Sequence, residues 1–478
     1  MSFRRYLIVG CIVTALQSIL AAQNQPAPDP SAQNPPAQSP SDGGVRTAPA
    51  PALSAVAGME GESGAEDTNS DLPRIPALLG GSGTSTAFLS EMEKSNYLRG
   101  GVNVSATYDD NPLLLSSGIQ SNTSETIFPN IRIEESSSRA RWTLGYAGGL
   151  TVNQNITSEN QGSHNVNFDS QFRLTPHVNL RVAETFSLTT GLFDSGNGSE
   201  VVAGSGGPNP SLITPLATQR SSVTTVATNY HFSLNDLVGA SGSYYDLHFT
   251  NVPAGTQLTD TDTASGSVFW LHCIFHGDWG GVTYRFDRIT SNPGNDVTQV
   301  HSFLAVDTLS LWKRLTLTGS IGPQYSESQG IGTTQPLQPS GWSVSGGVEG
   351  GWQGERTSAV AGYSRSVSDG GGVLGAVHLQ TVHGNFRRVL VPGWAVALTA
   401  SHGTNQSIFT TGASSINVTS AGIALERNVG KSIGLRLGYT HDFQEQYLAL
   451  PSAIPTLDAS RNRFFVTLSY QWAKPLGM

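Results

Sequence analysis

Phe464-Phe465-Val466-Thr467-Leu468-Ser469-Tyr470-Gln471-Trp472, close to the end of the chain, decides the fold class. Phe464, Val466, Leu468, Tyr470 and Trp472 occupy alternate positions, with Phe465, Thr467, Ser469 and Gln471 between them. Successive side chains of a strand point to opposite faces, so the stretch has one wholly apolar face and one mostly polar face. In a soluble sandwich the apolar face packs on a second sheet. In a closed sheet set in a bilayer it meets acyl chains, with aromatic rings where hydrocarbon gives way to water.

A strand of this kind near a chain end resembles the recognition strand of bacterial outer-membrane proteins. One departure is that Ala473 to Met478 follow the last aromatic, Trp472. The resemblance implies two kinds of partner: the barrel-assembly machinery, through this strand, and the lipid and lipopolysaccharide around the wall.

Working outward, the rest of the 478-residue chain is long for one soluble domain and ordinary for a large barrel. Charged residues are 13% of the sequence and Gly numbers 54, a balance that suits many strands and turns and not a helical enzyme. The net charge of −9 excludes the basic surface that nucleic-acid binding needs. Residues 1–22 read as a signal peptide, with Arg4 and Arg5 ahead of an apolar stretch from Tyr6 to Leu20 and Ala21-Ala22 as the small-residue exit. The apolar run falls short of the ~20 residues that a spanning helix needs. Removing it leaves Cys273 alone, so no intramolecular disulfide is expected. Residues 23–81, Pro/Ala/Gln-rich and then acidic and Gly-rich, bury too little apolar surface to fold and read as a disordered periplasmic leader. Residues 82–98 read as a short helix or a lead-in.

From Arg99 the chain becomes a series of alternating segments, eighteen by this reading and sixteen if weak ones are discounted. In one, Trp142, Leu144, Tyr146, Leu150 and Val152 share a face. In another, Asn165, Asn167, Asp169, Gln171 and Arg173 oppose Val166, Phe168, Phe172 and Leu174. Short connections such as Gly277-Asp278 and Pro392-Gly393 alternate with longer ones such as 108–124, 191–219, 291–297, 369–374 and 447–460. Tight hairpins at one end and larger loops at the other are the signature of a membrane barrel, and a sandwich has no reason to sort loop length by parity. The expected fold is therefore all-β: a transmembrane antiparallel β-barrel over residues 99–478. Trp142, Trp279, Trp312, Trp342, Trp352, Trp394 and Trp472 fall at or near strand ends, as an interfacial girdle requires, and Trp270 falls mid-strand. Glu184 is in phase with Val182 and Phe186 and so faces lipid, which a local bulge or a register near the headgroups would relieve.

A barrel this wide has room for an aqueous passage. The inward positions that carry charge are Arg132, Glu134, Arg141, Asp169, Arg173, Arg181, Arg285, Asp287, Glu349, Arg436 and Asp442. The first six lie on consecutive strands, with arginines in the majority. Loop 191–219 is the longest and carries Asp194 and Glu200. Folded inward as the third loop of general porins is, it would face the arginine wall and set up a transverse field. The alternative is a surface loop over arginines that pair with neighbouring carboxylates.

Enzyme readings find no support. His441 and Asp442 are adjacent, so on a strand they face opposite ways. His272 and His276 would be ~13 Å apart on a strand, too far for one zinc ion. No cofactor or metal is expected.

Tyr108-Asp109-Asp110-Asn111, Glu125-Thr126-Ile127-Phe128-Pro129-Asn130-Ile131, Arg141-Trp142-Thr143-Leu144-Gly145-Tyr146 and Asn179-Leu180-Arg181-Val182-Ala183-Glu184-Thr185-Phe186 together resemble β-barrel porins associated with bacterial exopolysaccharide export. The resemblance covers roughly the first ninety barrel residues and implies an outer-membrane pore or scaffold, with polysaccharide as one cargo. Inward aromatics such as Phe128 and Phe303 are few for a carbohydrate track. The leading expectation is an outer-membrane channel for small polar solutes or saccharides. A non-conducting scaffold or a component of exopolysaccharide export is the alternative.

Overall fold

The computed structural model describes residues 96–112, 119–156, 161–190, 218–250, 258–275, 278–292, 296–312, 314–329, 340–372, 374–408, 415–430, 432–447 and 458–476. The expected signal peptide, the leader, most of segment 82–98, and Asp194 and Glu200 lie outside the described residues. Tyr97 and Leu98, the end of the candidate helix, instead open the first strand.

Eighteen strands form: β1 (Tyr97–Asp109), β2 (Asn122–Ser136), β3 (Ala140–Asn153), β4 (Gln161–Arg173), β5 (Val178–Thr190), β6 (Thr218–His231), β7 (Asp236–Thr250), β8 (Asp260–Phe275), β9 (Asp278–Asn292), β10 (Asp296–Trp312), β11 (Leu315–Gln329), β12 (Gly341–Gln353), β13 (Thr357–Gly370), β14 (Leu374–Val391), β15 (Trp394–Ser407), β16 (Ser415–Val429), β17 (Ile433–Tyr447) and β18 (Ala459–Pro475). Each pairs antiparallel with the next in sequence. β18 pairs with β1 from Tyr97↔Pro475 to Asp109↔Arg463, which closes the sheet. Closure leaves no strand at an edge, the condition for a sheet to stand in hydrocarbon. The residues after Trp472 are absorbed in this seam, because β18 runs on to Pro475 and pairs there with β1.

Connections at one end of the barrel are short, among them 137–139, 276–277 and 392–393. Gly393 takes φ 82°, a left-handed conformation that a two-residue hairpin turn needs and that a side chain would oppose. This is the turn end. At the other, the loop end, 191–217 is the longest connection, but 293–295 and 371–373 are as short as the turns. Both were expected to be longer. β9, β10, β13 and β14 use the difference by running further as strands.

The outer face is apolar. Ile127, Val268, Val282, Ile321, Val344, Leu398, Val466 and Leu468 are all exposed, whereas Asn103, Thr126, Thr143, Thr225, Ser302 and Gln324 on the inner face are buried. That inverts the arrangement of a soluble protein and fits a wall solvated by lipid outside. Trp352, Tyr470 and Trp472 ring the turn end, and Tyr108, Trp342 and Phe464 the loop end. Trp270 belongs to this girdle, since it faces outward opposite Val238, near the turn end of β7. Trp279 does not. It points inward and packs with Leu237, Phe269, Leu271, Leu304 and Val306, a closed apolar cluster on the inner wall of β7–β10.

Glu184 faces lipid, as its phase requires, and needs no bulge. Its pairing partner Thr224 and the adjacent Ser222 lie on the same outer face of β6. Ser222 Oγ donates to Glu184 Oε1 at 2.8 Å, and Thr224 Oγ1 donates to Oε2. Two hydroxyls thus replace part of the water the carboxylate has lost.

Candidate functional site: the lumen wall and an infolded hairpin

Alternation and register place every charged candidate of the wall on the inner face: Arg132, Glu134, Arg141, Asp169, Arg173, Arg181, Arg285, Asp287, Glu349, Arg436 and Asp442. Most of those on β1–β5 gather near the turn end. Glu134 is approached by Arg132 Nε at 2.9 Å and by Arg99 Nε at 3.4 Å. Arg181 Nε donates to Asp169 Oδ2 at 2.9 Å, and its Nη2 reaches the same oxygen. On the neighbouring part of the wall, beyond β18, Glu426 is held by Arg387 Nε at 3.1 Å and faced by Arg436 Nε at 3.8 Å. Glu349 lies 3.4 Å from His383 Nε2. Each of the two glutamates, Glu134 and Glu426, meets two arginines, and Arg141 and Arg173 add to the same end. The local charge is positive although the whole chain is acidic. Arg132 and Arg436 keep 46% and 41% of their side chains exposed, so their charge is presented to the lumen and not consumed in the wall.

At the loop end a tighter network joins β1, β17 and β18. Arg461 Nη2 lies 2.7 Å from Asp442 Oδ2, Arg463 Nη2 lies 3.2 Å from that oxygen, and Arg461 Nη1 is 3.7 Å from Asp109. Ser420 Oγ donates to the other oxygen of Asp442 at 2.7 Å. Arg461, Arg463 and Asp442 are buried. Of this network only Asp442 is among the sequence candidates. Arg461 and Arg463 carry a legible signal, since they continue the polar face of Phe465 and Thr467 two steps toward the start of β18. Arg387 carries none, because it neighbours Arg388 and sequence alone does not say which of the two faces inward.

The lumen is narrowed by a hairpin. β12 and β13 pair only from Gln353↔Ser358 to Gly346↔Arg365. β12 continues along β11 to Gly341↔Ser326, and β13 continues along β14 to Gly370↔Leu374, so the two strands part above Gly346. The end of the β13–β14 hairpin turns into the barrel. Val367 and Ala376 pack on Ile289 and Val300, which face inward from β9 and β10. Further on, Thr259 N donates to Gly372 O at 2.8 Å, and Gly372 lies against the ring of Phe249. Phe249 itself packs with Tyr245 and Leu247 on the inner side of β7. The hairpin therefore forms a second layer inside the wall of β7–β10. Between the layers lies a cavity of about 30 Å³, lined by Arg285, Asp287, Ser302, Gln324 and Ser345 from the wall and by Arg365 and Val367 from the hairpin. That space is large enough for water. Arg285 and Asp287, paired at 2.7 Å, line this cavity and not an open passage.

One inward aromatic is corrected. Phe128 faces the lumen and is buried, but Phe303 is on the outer face, exposed, with its ring centroid 4.8 Å from that of Tyr284. Pleating explains the difference: Phe303 is one residue out of phase with Ser302 and Leu304, which face in. Among the described residues no cluster of His, Cys, Asp and Glu is arranged to hold a metal ion. His441 and Asp442 face opposite ways, His441 bonding Asn462 at 2.9 Å.

No family model matches the sequence, and no curated protein matches it. Solved structures that resemble it include the outer membrane protein OpdK from Pseudomonas aeruginosa, with TM-score 0.40, 11% identity, and coverage of 79% of this chain and 99% of that one. The ferric citrate transporter FecA in its unliganded form gives TM-score 0.45 and 8% identity over 80% of this chain and 79% of that one. The siderophore receptor PirA from Pseudomonas aeruginosa gives 0.40 and 11% over 80% and 81%. Likeness at this level assigns no solute.

Proposed function

We propose that the protein is an outer-membrane channel for small polar solutes, saccharides included, and that its lumen favours anions. The observation that carries this reading is the turn-end wall, where Arg132, Arg99, Arg387 and Arg436 outnumber the two glutamates they surround. In a lumen bounded by low-dielectric walls such an excess raises the local concentration of negative solutes and opposes positive ones. The orientation that fits is turns toward the periplasm and loops outside, with the N-terminal leader in the periplasm.

Asp194 and Glu200 remain candidates for a constriction contributed by loop 191–217. The likeness of the first strands to porins associated with exopolysaccharide export makes neutral and acidic saccharides the first solutes to try. A second reading, a non-conducting envelope scaffold, is favoured by the infolded hairpin, which occupies part of the lumen at the loop end. On neither reading is the protein an enzyme.

The deciding experiment is conductance of the refolded protein in a planar bilayer under a potassium chloride gradient. Steady conductance with a reversal potential on the anion side supports the channel. A variant lacking residues 195–216 tests whether the longest loop narrows it. Absence of conductance from a protein shown to be inserted and heat-modifiable would sink the channel and leave the scaffold.

A further inference from the structure

The pairing between β12 and β13 stops at Gly346↔Arg365, although three further residue pairs beyond it are matched in kind. Continued beyond Gly346↔Arg365, the same antiparallel register would set Ser345 opposite Ser366, Val344 opposite Val367 and Ser343 opposite Ser368. Strand alternation would turn Val344 and Val367 together toward lipid, and the two serine pairs together toward the lumen. Apolar thus meets apolar outside and hydroxyl meets hydroxyl inside as far as Ser343 and Ser368; one step further, at the loop-end rim, Trp342 would stand opposite Asp369. A segment used only in the infolded position has no need of this match.

The observed position satisfies the same residues in another way. Val367, of lipid-facing phase, packs on Ile289 and Val300 of the inner wall. Ser345 Oγ donates to Arg365 O at 3.0 Å, which supplies one partner where the ladder has ended. Gly346, at the fork, holds φ 151°, a conformation open to glycine and strained for other residues.

We propose that the β13–β14 hairpin is a two-position gate. In the infolded position it layers against β7–β10 and narrows the loop end. In the zipped position β13 completes its ladder with β12, the hairpin joins the wall and the lumen widens. Gly346 is the hinge. The gating role rests on the channel reading above; the two positions do not.

Residue 367 reports the position, because its neighbour differs between the two. With Cys11 and Cys273 replaced by serine, one variant carries Val344→Cys and Val367→Cys and a second carries Val300→Cys and Val367→Cys. In the infolded position Val344 is on the outer surface and Val367 is inside against Val300, so each disulfide requires one position only. Under oxidant both disulfides should form in folded, heat-modifiable protein. The 344–367 bond should raise conductance and the 300–367 bond should lower it, with reductant reversing both. Failure of either bond to form overturns the two positions. Formation of both, with conductance unchanged by either, overturns the gate. Formation of both in a protein that never conducts leaves the two positions standing and removes the channel.

Discussion

Gly346 and Arg365 are the last residues that pair β12 with β13 on the way to the loop end, and beyond them one strand stays in the wall while the other enters the lumen. A Cβ at Gly346 would overlap the backbone oxygen of Ser320 on β11, in addition to opposing φ 151°. Gly346→Val should therefore lower stability by about 1–3 kcal/mol, the usual cost of holding a side chain in such a conformation. Urea titration of protein refolded into vesicles checks this. A variant as stable as the parent would show that β12 relaxes freely at the fork.

Asp442 is the shared anion of two buried arginines, Arg461 and Arg463. Removing it leaves two like charges close together in a site sheltered from water, whereas removing Arg463 leaves an ion pair intact. Asp442→Asn should thus destabilise more than Arg463→Met, with a loss of about 3–5 kcal/mol for the broken buried pair. The same urea titration ranks them. Equal losses would mean that the two arginines are separately compensated.

Glu184 depends on Ser222 and Thr224 for its hydrogen bonds on the lipid face. Ser222→Ala with Thr224→Val leaves the carboxylate without these donors, at a cost of about 1–3 kcal/mol. Adding Glu184→Leu to that pair should recover the loss, because an apolar side chain belongs on this face. A triple variant no more stable than the double would mean that Glu184 meets something other than lipid.

Arg132 on β2 and Arg436 on β17, with only β18 and β1 between their strands, present charge to the lumen at the turn end. Reversing both to glutamate should move the reversal potential toward cations under a fixed salt gradient. The shift should be largest at low ionic strength, because the Debye length shrinks from about 30 Å at 0.01 M to about 3 Å at 1 M salt. An unchanged reversal potential would place the selective region elsewhere, with loop 191–217 the next segment to vary.

What was legible in the sequence followed from period and parity. Alternation in stretches such as Phe464–Trp472 showed which residues face lipid, and connection lengths pointed to two unlike ends and to eighteen or sixteen strands, although 293–295 and 371–373 are as short as the turns. The inner charges came with them, since inward and outward positions differ by one residue. The infolded hairpin was not legible, because Val367 has the phase of a lipid-facing residue and is one in the zipped register. Only the packing of Val367 on Val300, a contact between distant segments, shows that it is inside. Trp279 escaped for a related reason: a tryptophan near a strand end suits a girdle, and only register shows that it points inward.

Val300 offers a test of the gate that needs no cross-link. In the infolded position its side chain is wholly buried beneath Val367 and Ala376. In the zipped position the hairpin has left, and the same side chain would face the lumen. Val300→Ala removes the equivalent of two methylenes from a contact made in the first position only, about 1.5 kcal/mol at the usual value per buried group. The second position loses nothing, and gains slightly by exposing less apolar surface to water. The balance should move toward the zipped form by roughly tenfold, since about 1.4 kcal/mol corresponds to that factor in an equilibrium. Single-channel records should show longer or more frequent residence at high conductance. A control change, Thr126→Val on the inner face of β2, should leave dwell times nearly unaltered, because Thr126 faces Thr151 of β3 at 3.3 Å and is not part of the cluster under Val367. Equal dwell times for Val300→Ala and the parent would mean that the packing on β10 does not hold the hairpin, and the gate would lose its latch.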